Sequence, residues 1–313
     1  MAGFAGRYRG APGVVEAGLL EGLDVLETHG LLAPAAAPGP EARQRDRYLW
    51  LLKRTLSGLL SLESDLRIDF LQGEGRGVEG AALARALHDI RIERPDEFRT
   101  LVAARLTGRG PQPRAATTIG LFRLTSLERC AEAVLEAGVA GDFLEAGVGA
   151  GGAAIFLRAL QVAHGAAERR TWLADSFMGP PPPAASDAPY VGPDPVETPG
   201  PAFDLATVQE HFRRYDLLDP QVRFIAGWWA DTLPGAETGP LALVRIDVAS
   251  FSAATTALDA LYERVAPGGY LIVDDYGALA ACRDAVDRFR ERRAIAEPLR
   301  WADAACVFWR KAP

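Results

Sequence analysis

The spacing of apolar residues in the first third of the chain is that of helices. Residues 12–32 and 41–63 carry apolar side chains three and four positions apart, which predicts two helices. Shorter helical patterns follow near 81–92 and 96–106. Proline- or glycine-rich breaks interrupt these patterns at 33–40, 72–80 and 108–113. We therefore expect residues 1–113 to be a helical N-terminal region that serves as a lid, as a subunit contact, or as both.

After residue 113 the pattern changes to strands that alternate with helices. A lead-in helix is predicted from about Thr125 to Ala137, because Thr125 and Glu128 fit a capping box. Residues 121–124 before it could pass over the ligand cleft or belong to ordinary helix docking. Strands are predicted up to Glu145 and at 170–175, 222–226, 241–247, 270–273 and 306–310, and helices at 153–162, 207–215, 252–265 and 280–292. This alternation predicts an α/β fold with a mostly parallel sheet over 114–313.

A proline-rich stretch interrupts the second region between residues 177 and 206. It contains nine prolines and few residues that favour helices. Long irregular insertions in a compact domain are commonly functional covers. Because this one follows directly after Asp175 at a strand end, we expect a loop that covers the bound substrate.

A glycine-rich turn follows the first strand and is the strongest local signal in the chain. Gly147, Gly149 and Gly152 match the spacing G-x-G-x-x-G, and Asp175 comes about twenty residues later, as in dinucleotide sites. Glu145, two residues before the first glycine, would repel a pyrophosphate but could accept a hydrogen bond from the ammonium group of S-adenosylmethionine. Asp175 could then accept both ribose hydroxyls. The turn therefore favours S-adenosylmethionine over NAD, and a turn that binds no ligand is the third interpretation.

Acidic residues also end two later strands. Asp247 follows one strand, and the adjacent Asp274 and Asp275 follow the next. Neighbouring carboxylates repel each other unless a cation neutralises them, and Mg²⁺ prefers oxygen ligands. We therefore expect these three aspartates to bind Mg²⁺, with Asp247 also placed to take a proton from a hydroxyl group. The alternative is that Asp274 caps the next turn and Asp275 is solvated.

Composition narrows the classes of partner. The chain has 313 residues and a net charge of −7, which disfavours nucleic acid as a ligand. It has no apolar run of membrane-spanning length, so we expect no membrane contact. Three widely spaced cysteines fit a reducing compartment, and the expected location is cytoplasmic. The apolar N-terminal helices favour a homodimer.

Several motifs, in this order, resemble those of the macrocin O-methyltransferase family. They are DFLEAGV (142–148), WLADSF (172–177), VRFIAGWWADTLP (222–234), GGYLIVDDY (268–276) and ACRDAV (281–286), and the resemblance covers residues 117–311. It implies a class I methyltransferase fold, S-adenosylmethionine as donor, Mg²⁺ in well-known members, and a hydroxyl of a natural product as acceptor. The cofactor positions it implies are Glu145, Gly147, Asp175 and Ser176, with Gly227 and Trp228 beside the adenine. We add Gly149 and Asp247 as candidate cofactor contacts. The metal positions are Asp247, Asp274 and Asp275, and the candidate acceptor contacts are Phe177 and Tyr276.

One stretch departs from the family pattern. Where the family usually has two acids shortly after Asp247, this chain has Ala249 and Ser252. The departure leaves metal dependence open and allows two alternatives. One is metal-independent methylation of an acidic enol hydroxyl, and the other is an inactive regulatory protein that only binds the cofactor. An NAD-dependent oxidoreductase is disfavoured, since Lys53 and Lys311 are the only lysines.

Overall fold

The computed structural model describes residues 39–110, 112, 114–191 and 202–312. They fall into two compact units, one that ends at Phe122 and one that begins at Arg123. The helix predicted over 12–32 lies outside the described residues, as do most of the 33–40 break and ten positions of the proline-rich stretch.

The first unit is helical, as predicted, but its longest predicted helix is two helices. Its elements are α1 (Pro40–Leu56), α2 (Leu62–Gln72), α3 (Gly80–His88), α4 (Ile90–Glu93) and α5 (Pro95–Thr107). The prediction of one helix over 41–63 was wrong, because Gly58 adopts a left-handed φ of +74° that no α-helix continues through. In the interior of this unit, Arg105 donates to Asp65 at 2.6 Å.

The second unit is built on a seven-stranded sheet. The strands are β1 (Asp142–Ala146), β2 (Thr171–Asp175), β3 (Val222–Ala226), β4 (Leu241–Ile246), β5 (Val265–Val273), β6 (Arg300–Trp301) and β7 (Val307–Arg310). Their order is β3-β2-β1-β4-β5-β7-β6. β1 to β5 are parallel, and β7 is antiparallel to both of its neighbours. The predicted α/β fold with a mostly parallel sheet is confirmed.

Helices connect the strands. They are α6 (Gly120–Glu136), α7 (Gly152–Ala163), α8 (Leu205–Arg214), α9 (Trp229–Thr232), α10 (Phe251–Leu261) and α11 (Ala280–Arg292), with 3-10 turns at Ala185–Tyr190 and Tyr262–Arg264. The start predicted for α6 was wrong. The helix begins at Gly120 rather than Thr125, so Thr125 is not its N-cap, and Leu121 and Leu124 are buried residues of the helix, which agrees with the alternative of helix docking.

The sheet brings the ends of its central strands to one edge. Every residue of β4 is buried, as expected for a parallel strand whose two faces are covered. The registers pair Ala146 with Ala174 and Ile246, and Ile246 with Val273, so β1, β2, β4 and β5 end side by side. Because β7 is antiparallel to β5, it begins at this carboxyl edge. In open parallel sheets, ligands bind at the edge where such strands end.

Candidate active site

The turn after β1 is tight at one glycine and open at another. Gly147 has φ +90°, and a β-carbon there would lie 1.9 Å from the Asp247 carbonyl oxygen. Gly149 has φ +53°, but a β-carbon there would meet nothing within 4 Å. The first glycine is therefore required for packing against the loop after β4, while the second leaves open space above the turn.

Asp175, at the end of β2, organises this side of the edge. Its Oδ2 accepts the Val148 N–H at 2.8 Å and its Oδ1 accepts the Phe177 N–H at 2.9 Å. The side chain is only half-buried, so its oxygens stay accessible to a ligand. One carboxylate thus joins the glycine turn to the loop after β2. The next residue, Ser176, donates its hydroxyl to the Gly179 carbonyl at 2.6 Å.

Two further predicted cofactor residues lie beside Asp175. The Gly227 N–H donates to the Asp175 carbonyl at 2.9 Å, with Gly227 at φ +133°. Trp228 follows directly and precedes α9. The structure therefore brings together Gly147, Asp175 and Gly227 at the ends of three neighbouring strands.

The predicted acids converge on an arginine that sequence reasoning missed. We call Glu145, Asp247, Asp274 and Asp275 the acid cluster. Arg245, on β4 and only 2% exposed, donates from Nη1 to Glu145 and from Nη2 to Asp247 at 2.8 Å and Asp274 at 2.5 Å. An arginine inside an otherwise apolar strand was the available sequence signal.

A second buried arginine reaches the cluster from α6. Arg123, 7% exposed, donates from Nη1 to Asp274 at 3.3 Å and from Nε to Asp303 at 2.7 Å. It lies before Thr125, the predicted start of the helix. Two guanidinium groups therefore offset the negative charge at the end of β5.

Among the described residues, the four carboxyl groups of the cluster are matched by these two arginines. Burial raises the pKa of Glu145 to about 8, although Arg245 opposes the shift. Burial, reinforced by the charge of Asp247, raises the pKa of Asp275 to about 7. Burial acts on Asp274 as well, but Arg245 and Arg123 outweigh it and hold the pKa of that carboxyl below its ordinary value. The surroundings therefore shift the pKa values of the adjacent residues Asp274 and Asp275 in opposite directions.

Three acids of the cluster, Asp247, Asp274 and Asp275, are the predicted ligands of a Mg²⁺ ion. Among the residues that the structure describes, no group of three His, Cys, Asp or Glu side chains is arranged to hold a metal. Oδ2 of Asp274 accepts from both arginines, and Oδ2 of Asp247 accepts from Arg245. As they lie, these side chains do not fit a metal ion, and the magnesium site stays a prediction.

Glu145 fits a cationic cofactor better than the aspartates fit a metal ion. Oε2 of Glu145 is buried and has no hydrogen-bond partner among the described residues. It is therefore an unsatisfied acceptor, which the ammonium group of the cofactor could satisfy. His211 is not part of the acid cluster: its Nδ1 donates to the Ala150 carbonyl at 2.7 Å and so supports the turn.

The two candidate acceptor contacts differ in accessibility. Phe177 is buried, with φ +54°, and its ring packs edge-on against Phe224 at 6.1 Å. Tyr276 is partly exposed, packs edge-on against Trp301 at 5.6 Å, and donates its hydroxyl to Asp287 at 2.9 Å.

Within the described part of the chain, no helix is long and apolar enough to cross a membrane.

The strand order, the antiparallel seventh strand and the glycine turn after β1 define a class I S-adenosylmethionine-dependent methyltransferase fold. The family model described as "Macrocin-O-methyltransferase (TylF)" matches residues 45–311. The chain therefore belongs to the macrocin O-methyltransferase family, and the family predicted from the motifs is confirmed.

Curated relatives agree on the enzyme class. An 8-demethyl-8-(2,3-dimethoxy-alpha-L-rhamnosyl)-tetracenomycin-C 4'-O-methyltransferase of Streptomyces olivaceus is 42% identical over 85% of this chain and 93% of its own length. Mycinamicin III 3''-O-methyltransferase of Micromonospora griseorubida is 37% identical over 84% of this chain and 96% of its own. The solved structure of the O-methyltransferase NovP has a TM-score of 0.67 at 32% identity, covering 86% of this chain and all of NovP. The chain is thus an O-methyltransferase.

Proposed function

We propose that this enzyme transfers a methyl group from S-adenosylmethionine to a sugar hydroxyl of a glycosylated polyketide. The observation that carries the proposal is the 42% identity, over 85% of the chain, to a relative whose name gives a rhamnosylated tetracenomycin as its substrate. The mycinamicin relative supports the same class of acceptor. The product is a methylated natural product.

The residues around the glycine turn bind the donor. Asp175, already fixed by two N–H groups, accepts from the ribose, while Glu145 accepts from the amino group. Gly147 and Gly149 let the donor approach the backbone, and Ser176, Gly227, Trp228 and Asp247 complete the set. When bound, S-adenosylmethionine supplies a methyl group on a sulfonium.

The aspartates of the acid cluster act on the acceptor. In the reaction the acceptor oxygen bonds to the methyl carbon, the C–S bond breaks, and its electron pair goes to sulfur. Asp247 takes the hydroxyl proton, since it is the cluster acid that follows β4 directly beside the glycine turn. Arg245 holds Asp247 in place for this step. Phe177 and Tyr276 form the acceptor wall.

Metal dependence divides the proposal into two forms. In the first, Asp247, Asp274 and Asp275 bind Mg²⁺, whose chemistry would be to lower the pKa of the hydroxyl. In the second, no metal is needed, and this form also allows the alternative acceptor, an acidic enol hydroxyl of the polyketide in place of the sugar hydroxyl. The pairing of Arg245 and Arg123 with the cluster favours the second form.

We assign residues 1–113 to a lid or homodimer contact, and loop 177–206 to covering the acceptor. The large apolar side chains exposed on α1 and α2, such as Leu51 and Leu71, support a subunit contact. The free, buried cysteines Cys130, Cys282 and Cys306 suit the cytoplasm. We assign neither nucleic acid nor membrane as a partner.

Methyl transfer to a defined acceptor tests the proposal. The enzyme is incubated with S-adenosylmethionine and 8-demethyl-8-(2,3-dimethoxy-alpha-L-rhamnosyl)-tetracenomycin C, with Mg²⁺ or with EDTA, and the product mass is measured. A gain of one methyl group supports the function, and activity in EDTA supports the metal-independent form. No transfer to this or to other polyketide glycosides, although S-adenosylhomocysteine binds, would contradict the proposed acceptor class.

A further inference from the structure

A single buried carboxylate anchors the proline-rich segment that follows β2. We call residues 180–191 the strap. Residues 180–189 are exposed apart from Asp187, which is only 3% exposed. Apolar burial therefore does not hold this part of the strap in place, so its attachment must be polar.

Asp187 connects the strap to the start of α10. Its Oδ1 accepts the Ser252 N–H at 2.8 Å, and its Oδ2 accepts the Ser252 hydroxyl at 2.7 Å and the Ala184 N–H at 2.8 Å. A carboxylate is also stabilised by the partial positive charge at a helix N-terminus. One side chain thus satisfies three donors and fixes both the strap and the first turn of α10.

A second attachment lies three residues further on. The Tyr190 ring stacks on Phe251 at 5.5 Å and 16°, and its hydroxyl donates to Asp284 at 2.7 Å. Arg288 lies over the same Phe251 ring at 5.1 Å. The strap is therefore bound to α10 and α11 together.

These attachments determine where the strap runs. It begins shortly after Asp175 at the end of β2, and it is attached to the helices that follow β4 and β5. Since β1 and β4 lie between β2 and β5 in the sheet, the strap follows the carboxyl edge that holds the glycine turn and the acid cluster. Ser252, which Asp187 holds, comes five residues after Asp247.

We propose that Asp187 is a positioning residue, which fastens the strap to Ser252 and thereby fixes the segment that follows Phe177 and the loop that carries Asp247. This inference rests on the proposed methyltransferase function. It assigns Ser252 the role of strap partner. Fixing these two segments lowers the cost of ordering the site when the acceptor binds.

The test compares Asp187→Ala and Asp187→Asn with the matched control Ser186→Ala, an exposed neighbour in the same segment. Amide exchange is followed in peptides that cover 184–191, 248–254 and 142–152, and S-adenosylhomocysteine affinity is measured by calorimetry. For Asp187→Ala we expect faster exchange in the first two peptides only, and cofactor affinity within about twofold of the unsubstituted enzyme. Asp187→Asn keeps one acceptor oxygen and should be intermediate.

Kinetics with the rhamnosylated tetracenomycin complete the test. We expect Asp187→Ala to raise the acceptor KM about tenfold, the effect of losing hydrogen bonds to a charged group, with a smaller change in kcat. Ser252→Ala removes only the hydroxyl donor and keeps the Ser252 N–H, so it should have a smaller effect that does not add to that of Asp187→Ala. Unchanged exchange in the strap, or an unchanged KM, would overturn the proposal. If the unsubstituted enzyme binds the cofactor yet methylates no glycoside, the proposed acceptor class fails, while the exchange result still decides whether Asp187 fastens the strap.

Discussion

The two halves of the carboxyl edge are built by different means. The glycine turn and Asp175 form the donor half, in which backbone N–H groups and positive-φ glycines set the geometry. The acid cluster forms the other half, in which side chains from β4, β5 and α6 meet around two buried arginines. The first half follows from neighbouring residues, while the second depends on contacts between distant ones. We therefore expect substitutions in the two halves to have different effects.

The largest expected effect is on turnover, from a substitution in the acid cluster. Asp247→Asn removes the group that takes the proton and should reduce kcat about 10²- to 10⁴-fold, the usual contribution of general base catalysis. Affinity for S-adenosylhomocysteine, measured by calorimetry, should change far less, because the glycine turn remains. If kcat stays within tenfold, another group accepts the proton.

The next effect is on stability. Arg245→Met leaves Glu145, Asp247 and Asp274 without their shared cation, and breaking a buried ion pair costs about 3–5 kcal/mol. Urea unfolding measures the loss. The control is Arg292→Met, which breaks an exposed pair with Asp259 and should cost less than about 1 kcal/mol. Equal losses in the two variants would show that the arginine does not hold the cluster together.

Two glycines of the turn should respond differently to alanine. Gly147→Ala places a methyl group against the Asp247 carbonyl and adds left-handed strain, for a cost of about 3 kcal/mol or more. Gly149→Ala adds only the strain, about 1 kcal/mol, but its methyl group occupies the open space and should weaken S-adenosylhomocysteine binding. Thermal unfolding and calorimetry separate the two effects. Equal stabilities would contradict the packing role of Gly147.

The last prediction concerns the dependence of stability on pH. Because burial raises the pKa of Glu145 to about 8 in the folded state, the folded protein keeps a proton that the unfolded chain releases above about pH 4. This contribution to stability is complete below pH 4 and is lost as the pH rises to 8. Glu145→Gln should reduce the slope of unfolding free energy against pH by up to about 1.4 kcal/mol per unit between pH 5 and 8. The exposed substitution Glu210→Gln should leave the slope unchanged.

Sequence reasoning succeeded where the signal was local and periodic. The bounds of β3 and α11 were predicted to the residue, and the glycine turn and the acids lie at strand ends as expected. It failed at Gly58 and at the start of α6, where one backbone conformation decided the element.

The arginines were missed for a different reason. Arg245 is isolated in an apolar strand, and Arg123 lies before the predicted start of α6, so neither belonged to a recognisable motif. Their function depends on which strands and helices become neighbours. That information resides in the topology and not in the spacing of residues along the chain.

The ion pair between Arg123 and Asp303 also bears on how the protein folds. It joins residues 180 positions apart, and Arg245 meets Glu145 across 100 positions. Contacts of such sequence separation form slowly, because the long loop between them must close first. During synthesis Glu145 is made 100 positions before Arg245, and Arg123 is made 180 positions before Asp303. The contacts of both arginines can therefore be completed only after Asp303 has been made, so a chain released before that point would have a glycine turn but no completed cluster.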